Sequence, residues 1–286
     1  MIEQESSAAP LVSKAFFVIF IHNFHPYWMK QLPHPIFPAH RSSLTFFTTE
    51  RGCQGIDVVH FFLPSRMTAR GYAKSPKTKN PHALDSWVYG YVNAAGNRDN
   101  INIEINYSLR AHILPPEQRP ILSEHFSSHD LIKTLAPVEI FAGKINALLN
   151  RAAARDLYDV TDMIRYGVFD ESEEELLRKC VVFYAAISAQ SVDKGFSTTM
   201  LDRLTEQRIR TDLLPVLRRR ESFDLPLAKR TIRAYVSDLM RLTEAEVEFL
   251  ERFENREFRP ELLFDSEDIL SRLAHHPMAL WKTRRM

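Results

Sequence analysis

Isoleucines occupy every second position from Ile101 to Ile105, and polar residues fill the positions between them. In an extended chain the isoleucines share one face, and Glu104 lies on the opposite face. The segment SWVYGYV, residues 86–92, is also β-prone, and AAGNRDN between the two segments is typical of a turn. The pattern therefore predicts a β-hairpin that carries Glu104 on its polar face, either as an ordinary surface carboxylate or as a functional one.

The segment PVEIFAGKINALLNRAAARDLYDVTDMIRYG, residues 137–167, has the spacing of one or two helices. Pro137 fits the first turn of a helix, and Thr134 or a neighbour is expected to cap it. On a straight helix Lys144 shares a face with apolar residues, and Arg151 and Arg155 extend the same stripe. Such a lysine either extends along its own stem to solvent or serves as a cation that binds phosphate.

Three aspartates follow at positions i, i+3 and i+6, namely Asp156, Asp159 and Asp162. This spacing places them along one side of a helix, with Arg155 and Arg165 as possible counter-charges. Neighbouring carboxylates repel one another unless a cation or a hydrogen-bond donor holds them. The pattern fits either a charged surface or a paired set of carboxylates in a site.

The chain divides by composition into three parts. Residues 1–82 are rich in Phe, His and Pro and poor in acids, and this segment is weakly patterned. Residues 83–167 hold the predicted hairpin, a proline-rich loop at Leu114–Pro120 and the helices around Lys144. Residues 168–286 are almost entirely helical in pattern. We therefore predict an α+β chain that ends in a helical bundle.

Bulk composition limits the classes of protein to which the chain can belong. With 286 residues, 45% hydrophobic and 26% charged, the chain is typical of a folded protein. With a formal charge of +1, the chain has no strong net field that would attract nucleic acid or a membrane surface. Cys53 and Cys180 are too few for a disulfide framework, and the apolar run AFFVIFI is shorter than a membrane span. We expect a cytoplasmic protein.

A basic run, RIRTDLLPVLRRR, covers Arg208–Arg220 and contains Pro215, which must kink or end a helix. One interpretation is a solvated face paired with nearby acids. Those acids are Glu206, Asp212 and Glu221. The other interpretation is a set of phosphate contacts to RNA, which would weaken as salt rises.

The segment PVEIFAGKINALLNRAAARDLYDV closely resembles the signature of the AbiEii/AbiGii toxin family, whose members are nucleotidyltransferase-like proteins of abortive-infection and type IV toxin–antitoxin systems. In that signature an A-x-K-[IL]-x-A-L helix precedes R-x-x-x-R-D-[LI]-x-D. The segments NINIEINYSLRAHIL, PELLF and HPMALWK also look like family segments. The resemblance thus extends from about Gly90 to the C-terminus.

This resemblance implies a partial nucleotidyltransferase-like mixed sheet with flanking helices, over residues 83–167. The implied reaction transfers a nucleotidyl group from an NTP, with Mg²⁺, to a hydroxyl of RNA (tRNA) or protein. A cognate antitoxin at the operon level and a role in phage defence are also implied.

The resemblance also assigns roles to particular residues. Lys144 corresponds to the lysine that contacts NTP phosphates, with Arg155 beside it. Asp156 corresponds to the motif aspartate proposed as a base or as an organiser of the site, and Glu104 to a third catalytic carboxylate. Asp159 and Arg151 would support and orient the site.

Two motifs of the family are absent from the sequence. The chain contains no Gly-Gly pair for a G-G-[ST] phosphate loop and no D-x-D pair of metal-binding carboxylates. Asp57 and Asp85 do not stand in the family context, so we assign no metal ligands. We expect an impaired transferase with little or no activity. The alternative is a catalytically inactive family remnant that acts as a binding or interaction protein.

Overall fold

The strands of the N-terminal region form one antiparallel sheet. The computed structural model describes residues 18–22, 44–47, 67–69, 71–76, 84–92, 96, 98–106, 111–120, 131–188, 192–217 and 222–284. Five strands pair in the order β2-β1-β5-β4-β3. They are β1 Val18–His22, β2 Leu44–Phe47, β3 Ala73–Lys74, β4 Leu84–Val92 and β5 Arg98–Asn106. Cys53, Asp57 and most of the predicted segment 1–82 lie outside the described residues.

The predicted hairpin is confirmed as β4 and β5. These strands pair along their full length, from Leu84 opposite Asn106 to Val92 opposite Arg98. Gly96 lies between them with φ +79°, a left-handed conformation that glycine adopts without steric cost. Residues 93–97 alone separate the two strands, and so short a connection requires them to run antiparallel. The resemblance implied a mixed sheet, whereas every strand pair in the described residues is antiparallel.

A second, two-stranded sheet corrects the prediction of a loop at Leu114–Pro120. Strand β6, Glu117–Pro120, pairs antiparallel with β7, Leu131–Thr134. Neither segment has a strong strand pattern of its own, and the pairing joins positions far apart in the sequence, which local patterning does not reveal. Thr134 is therefore the last residue of a strand. The helix that follows has Ala136 at its N-cap and Pro137 in its first turn.

Helices dominate from Pro137 onward, as the sequence predicted. They are α1 Pro137–Arg151, α2 Ala154–Arg165, α3 Glu171–Ile187, α4 Glu206–Arg208, α5 Leu225–Leu239, α6 Glu244–Glu254, α7 Glu267–Leu273 and α8 Pro277–Thr283. After α4 the chain continues as a π-helical turn, Ile209–Leu213, and a 3₁₀ turn, Leu214–Val216, where Pro215 ends the helical segment. The α+β class and the C-terminal helices are confirmed.

Capping boxes fix two of the helix starts. At α3 the Asp170 side chain accepts hydrogen bonds from the N–H groups of Ser172 and Glu173, and the Glu173 carboxylate accepts one from the Asp170 N–H. Thr243 and Glu246 form the same arrangement at α6. Glu246 also accepts from Arg178 Nε at 2.9 and 3.1 Å, which joins α6 to α3.

The described residues separate into two compact units, with the five-stranded sheet in one and the residues from Ala111 onward in the other. Within the second unit α1 packs along α3, and α2 packs against α5. The predicted boundary between residues 167 and 168 remains a prediction; α1 and α3, on either side of it, lie in the same unit. No helix in the described part of the chain is long and apolar enough to cross a bilayer.

A buried carboxylate ties α1 to its surroundings. Glu139 is 1% exposed and accepts hydrogen bonds from Ile113 N–H at 2.9 Å and Leu114 N–H at 3.1 Å. The Tyr184 hydroxyl donates a third hydrogen bond to it from α3. Burial, with the Glu139 charge in addition, raises the pKa of Tyr184 well above its ordinary value. Glu139 thus connects three segments in the interior.

His276, the N-cap of α8, is also fully buried. Its Nδ1 accepts a hydrogen bond from Ala279 N–H at 3.4 Å, and its ring packs edge-on against Phe183. Burial lowers the pKa of His276 to about 4, because the interior disfavours the imidazolium.

We predict a loss of stability in mild acid that depends on His276. The unfolded histidine titrates near about pH 6.5, so between about pH 6.5 and 4 only the unfolded chain gains the proton. The free energy of unfolding should fall by about 2 kcal/mol from about pH 7.5 to about pH 5 on this account. Urea unfolding at both pH values measures it. His276→Asn, which keeps a capping side chain, should reduce the loss, and His275→Asn, at an exposed neighbour, should not. An equal pH dependence in His276→Asn would contradict the prediction.

Candidate functional site

The turn between α1 and α2 determines where the candidate side chains lie. Ala152 ends α1 with φ 47° and ψ 59°, and Ala153 is extended before α2 begins at Ala154. The two helices therefore fold back on one another and pack together. This corrects the expectation that Arg155 continues the helical stripe of Lys144 and Arg151, because the left-handed residue breaks the helix between Arg151 and Arg155.

Lys144 on α1 meets Asp159 on α2. The Lys144 Nζ donates to Asp159 Oδ2 at 2.6 Å, and the two side chains are 28% and 22% exposed. A lysine at this depth keeps its stem against the protein and its ammonium near solvent. The pair is therefore an ion pair at the edge of the helical core, with access to a ligand from solvent.

Asp156, three residues before Asp159, occupies a different environment. It is 2% exposed, and its two oxygens accept from Arg151 Nε at 2.7 Å and Arg151 Nη2 at 3.0 Å. This fork-shaped pairing is the strong form of a carboxylate–guanidinium contact. It raises the pKa of Arg151. Arg151 itself is largely exposed, so the pair joins a buried carboxylate to a surface cation.

Arg155 points its guanidinium toward the segment after α4. Its Nε donates to the Asp212 carbonyl oxygen at 3.4 Å. A surface cavity of about 390 Å³ lies at this contact. Its lining residues are Arg151, Ala152, Ala153, Ala154, Arg155, Arg208 and Asp212. Part of the basic run thus meets the α1–α2 turn, while Arg218–Glu221 lies outside the described residues.

The structure brings together five of the six predicted site residues in the second unit. They form two ion pairs, Lys144–Asp159 and Arg151–Asp156, with Arg155 beside Arg151 at the cavity. Asp162 follows one turn later on α2. Glu104 lies on β5 of the other unit, where its register partners are Phe20 and Ser86.

The residues near these pairs do not fit a divalent metal. Mg²⁺ prefers several oxygen ligands, usually from carboxylates. The described residues contain no group of three or more Asp, Glu, His or Cys that could hold a metal ion. The carboxylates of Asp156 and Asp159 are each bonded to a cation instead.

Sequence reasoning missed the role of Glu139. Its place in the first turn of α1 is explained locally by the positive end of the helix dipole. In the structure its carboxylate accepts hydrogen bonds from a segment 25 and 26 residues earlier and from Tyr184, 45 residues later. The one sequence signal is a glutamate whose neighbours on both sides, Val138 and Ile140, are apolar.

Comparison with known proteins identifies one family. The family model for the nucleotidyl transferase AbiEii toxin of type IV toxin–antitoxin systems matches residues 69–259. The match begins before Gly90 and ends before the segment HPMALWK, so it starts and stops earlier than the resemblance predicted. It contains Glu104, both ion pairs and Arg208. No curated protein and no solved structure matches the chain.

We predict that the Arg151–Asp156 pair supports the fold. Arg151→Ala leaves a buried carboxylate without its two donors, which should lower the free energy of unfolding by roughly 1–3 kcal/mol. Arg151→Lys should recover only part of this loss, since an ammonium cannot make the two parallel bonds. Chemical denaturation measures the effect. Arg203→Ala, at an exposed arginine, serves as the control; an equal loss in both alanine variants would show that the pair has no special role.

Proposed function

We propose that helices α1 and α2 form the phosphate-binding part of an NTP site. The chain belongs to the AbiEii family of nucleotidyl transferase toxins. The family reaction is transfer of a nucleotidyl group from NTP. In this chain we propose that the acceptor is a hydroxyl of RNA, with tRNA as the substrate class, and that transfer is impaired.

The observation that supports the proposal is the partly exposed Lys144–Asp159 pair. A lysine ammonium is a compact charge that suits the phosphates of a nucleotide. Asp159 holds the Nζ at 2.6 Å, so the ammonium has a defined position before it meets a ligand. Because both side chains are partly exposed, breaking this pair costs little compared with breaking a buried one. A triphosphate carries more negative charge than one carboxylate and can replace Asp159 as the partner of Lys144.

Asp156 has the organising role in this proposal. Its two oxygens are bonded to Arg151, and it is buried, so it is poorly placed to accept a proton from a substrate hydroxyl. Its pairing with Arg151 fixes the start of α2 against the end of α1. Asp159, one turn along α2, is thereby held beside Lys144. Glu104 keeps the role of catalytic carboxylate that the resemblance implied, as a proposal.

The proposed impairment follows from the chemistry of the missing motifs. Phosphoryl and nucleotidyl transfer depend on positioning and on cations that neutralise the developing charge. The chain has no D-x-D pair to hold such metal ions and no Gly-Gly loop to position the phosphates. Phosphate binding through a lysine needs neither motif. The chain is therefore proposed to bind NTP while transferring it weakly or not at all.

This proposal places the chain in a toxin–antitoxin pair. The family is that of type IV toxin–antitoxin systems, so an antitoxin is the expected partner. A chain that binds nucleotide and transfers it poorly would be a weak toxin. The alternative is an inactive family remnant that acts only as a binding protein. It is favoured by the same missing carboxylates.

We predict that NTP binding depends on Lys144. Lys144→Ala should weaken NTP binding at least about tenfold, because it removes the charge that meets the phosphates. Calorimetry with each NTP, with and without Mg²⁺, measures this. Lys179→Ala is a matched control, since Lys179 Nζ also lies 2.6 Å from a carboxylate, with 22% exposure. NTP affinity that is the same in wild type and Lys144→Ala would overturn the proposed site.

Transfer is measured separately with α-labelled NTP and total tRNA in the presence of Mg²⁺. We expect binding that depends on Lys144, together with little or no labelled tRNA. Strong labelling that disappears in Lys144→Ala would refute the impairment and establish an active transferase. An absence of both NTP binding and labelling in the folded protein would leave the interaction-protein alternative.

A further inference from the structure

We infer that the cavity bordered by Arg151, Arg155 and Arg208 binds a backbone phosphate of an RNA strand. These arginines come from two segments of the chain, the α1–α2 turn and α4, that meet at one place. The choice of RNA as the source of the phosphate rests on the proposed function. The choice of phosphate as the ligand rests on the cavity itself.

The charge of the lining favours an anion. Three of the seven lining residues are arginines, and Asp212 is the one acid among them. A guanidinium presents planar, paired donors that match the oxygens of a phosphate. The side-chain carboxylate of Asp212 accepts a hydrogen bond from Thr211 Oγ1 at 2.8 Å. The backbone carbonyl oxygen of Asp212 accepts one from Arg155 Nε. The cavity therefore keeps an excess of positive charge.

The guanidinium of Arg208 has N–H donors that can bind a ligand. Within the described residues its side chain makes no hydrogen bond or ion pair, and it is exposed. The Nε of Arg155 donates to the Asp212 carbonyl oxygen, and the Nε and one terminal nitrogen of Arg151 donate to Asp156. Each of these two guanidinium groups keeps further N–H donors.

Buried neighbours hold Arg208 at the cavity. The next residue, Ile209, is 1% exposed, and Leu213 is also 1% exposed. Together they anchor the π-helical turn Ile209–Leu213 in the core. Thr205 caps the short helix α4 by accepting from Arg208 N–H. The backbone of Arg208 is thus fixed on both sides, and its side chain alone projects into solvent.

Position along α1 separates this cavity from the proposed NTP phosphates. Arg151 follows Lys144 by seven residues, which is about two helical turns, or roughly 10 Å along the axis on nearly the same face. Lys144 does not line the cavity. An RNA that brings a hydroxyl to a nucleotide held by Lys144 carries backbone phosphates in the nucleotides next to that hydroxyl. The arginine cavity is at a suitable distance to bind one of them.

The test compares two arginines of one segment. Arg208→Gln removes a lining charge, and Arg210→Gln removes the charge of another exposed arginine, two residues away, that does not line the cavity. Binding of labelled total tRNA and of a short single-stranded RNA is measured without NTP across a series of salt concentrations. We expect Arg208→Gln to weaken RNA binding several-fold and to lower the slope of log affinity against log salt by about 0.7, while Arg210→Gln stays close to wild type.

A second measurement identifies the source of the phosphate. NTP and inorganic triphosphate are titrated into both variants, and Arg208→Gln is expected to bind them as wild type does. Equal losses of RNA affinity in Arg208→Gln and Arg210→Gln would indicate a diffuse basic surface and overturn the inference. Loss of NTP or triphosphate affinity alone would assign the cavity to the nucleotide and also overturn it.

These results are independent of the proposed NTP site. If Arg208→Gln leaves RNA binding unchanged while Lys144→Ala abolishes NTP binding, the cavity fails and the NTP site stands. If Lys144→Ala has no effect on NTP while Arg208→Gln weakens RNA binding, the NTP site fails and the RNA cavity stands.

Discussion

The buried carboxylate of Glu139 holds three segments of the helical unit together. It accepts from two consecutive backbone N–H groups before β6 and from a tyrosine hydroxyl on α3. A buried N–H without a partner costs roughly 1–3 kcal/mol, so the carboxylate stabilises several segments at once. It also fixes the rotation of α1 about its axis. Lys144 lies five residues later, about 140° around that axis, where it reaches the edge of the core and partial exposure.

Exposure separates the two ion pairs that follow. Asp156 is almost fully buried and is held by both branches of an arginine fork, whereas Lys144 and Asp159 are each about a quarter exposed. A buried carboxylate that loses its partner is costly, so the first pair is suited to permanent structure. A partly exposed pair gains little from Coulomb attraction and can exchange partners. The same short stretch of sequence thus provides one fixed pair and one exchangeable pair.

Local patterning was sufficient for the elements that depend on neighbouring residues. The alternating isoleucines predicted β5, and the aspartate spacing predicted one side of α2. Local patterning failed where contacts between residues distant in the sequence determine the structure. Nothing local predicts that Ala152 adopts a left-handed conformation, because alanine is a good helix former and tertiary packing imposes the break. The pairing of β6 with β7 and the contacts of Glu139 are likewise long-range. The candidate ion pairs depend on local sequence and on tertiary packing together. The motif supplies the charged residues, and the break at Ala152 brings Asp159 to Lys144.

Two kinds of phosphate contact differ in what they require. A metal-dependent contact needs a cluster of carboxylates, whose mutual repulsion must be relieved by a cation or by hydrogen-bond donors. A contact through lysine or arginine needs only a cation whose position is fixed by packing. Lys144 and Arg208 both meet that condition, through Asp159 and through the buried Ile209 respectively. Under the proposed function, the absence of a D-x-D pair removes the cations that transfer requires, whereas phosphate binding through Lys144 and Arg208 depends on neither missing motif.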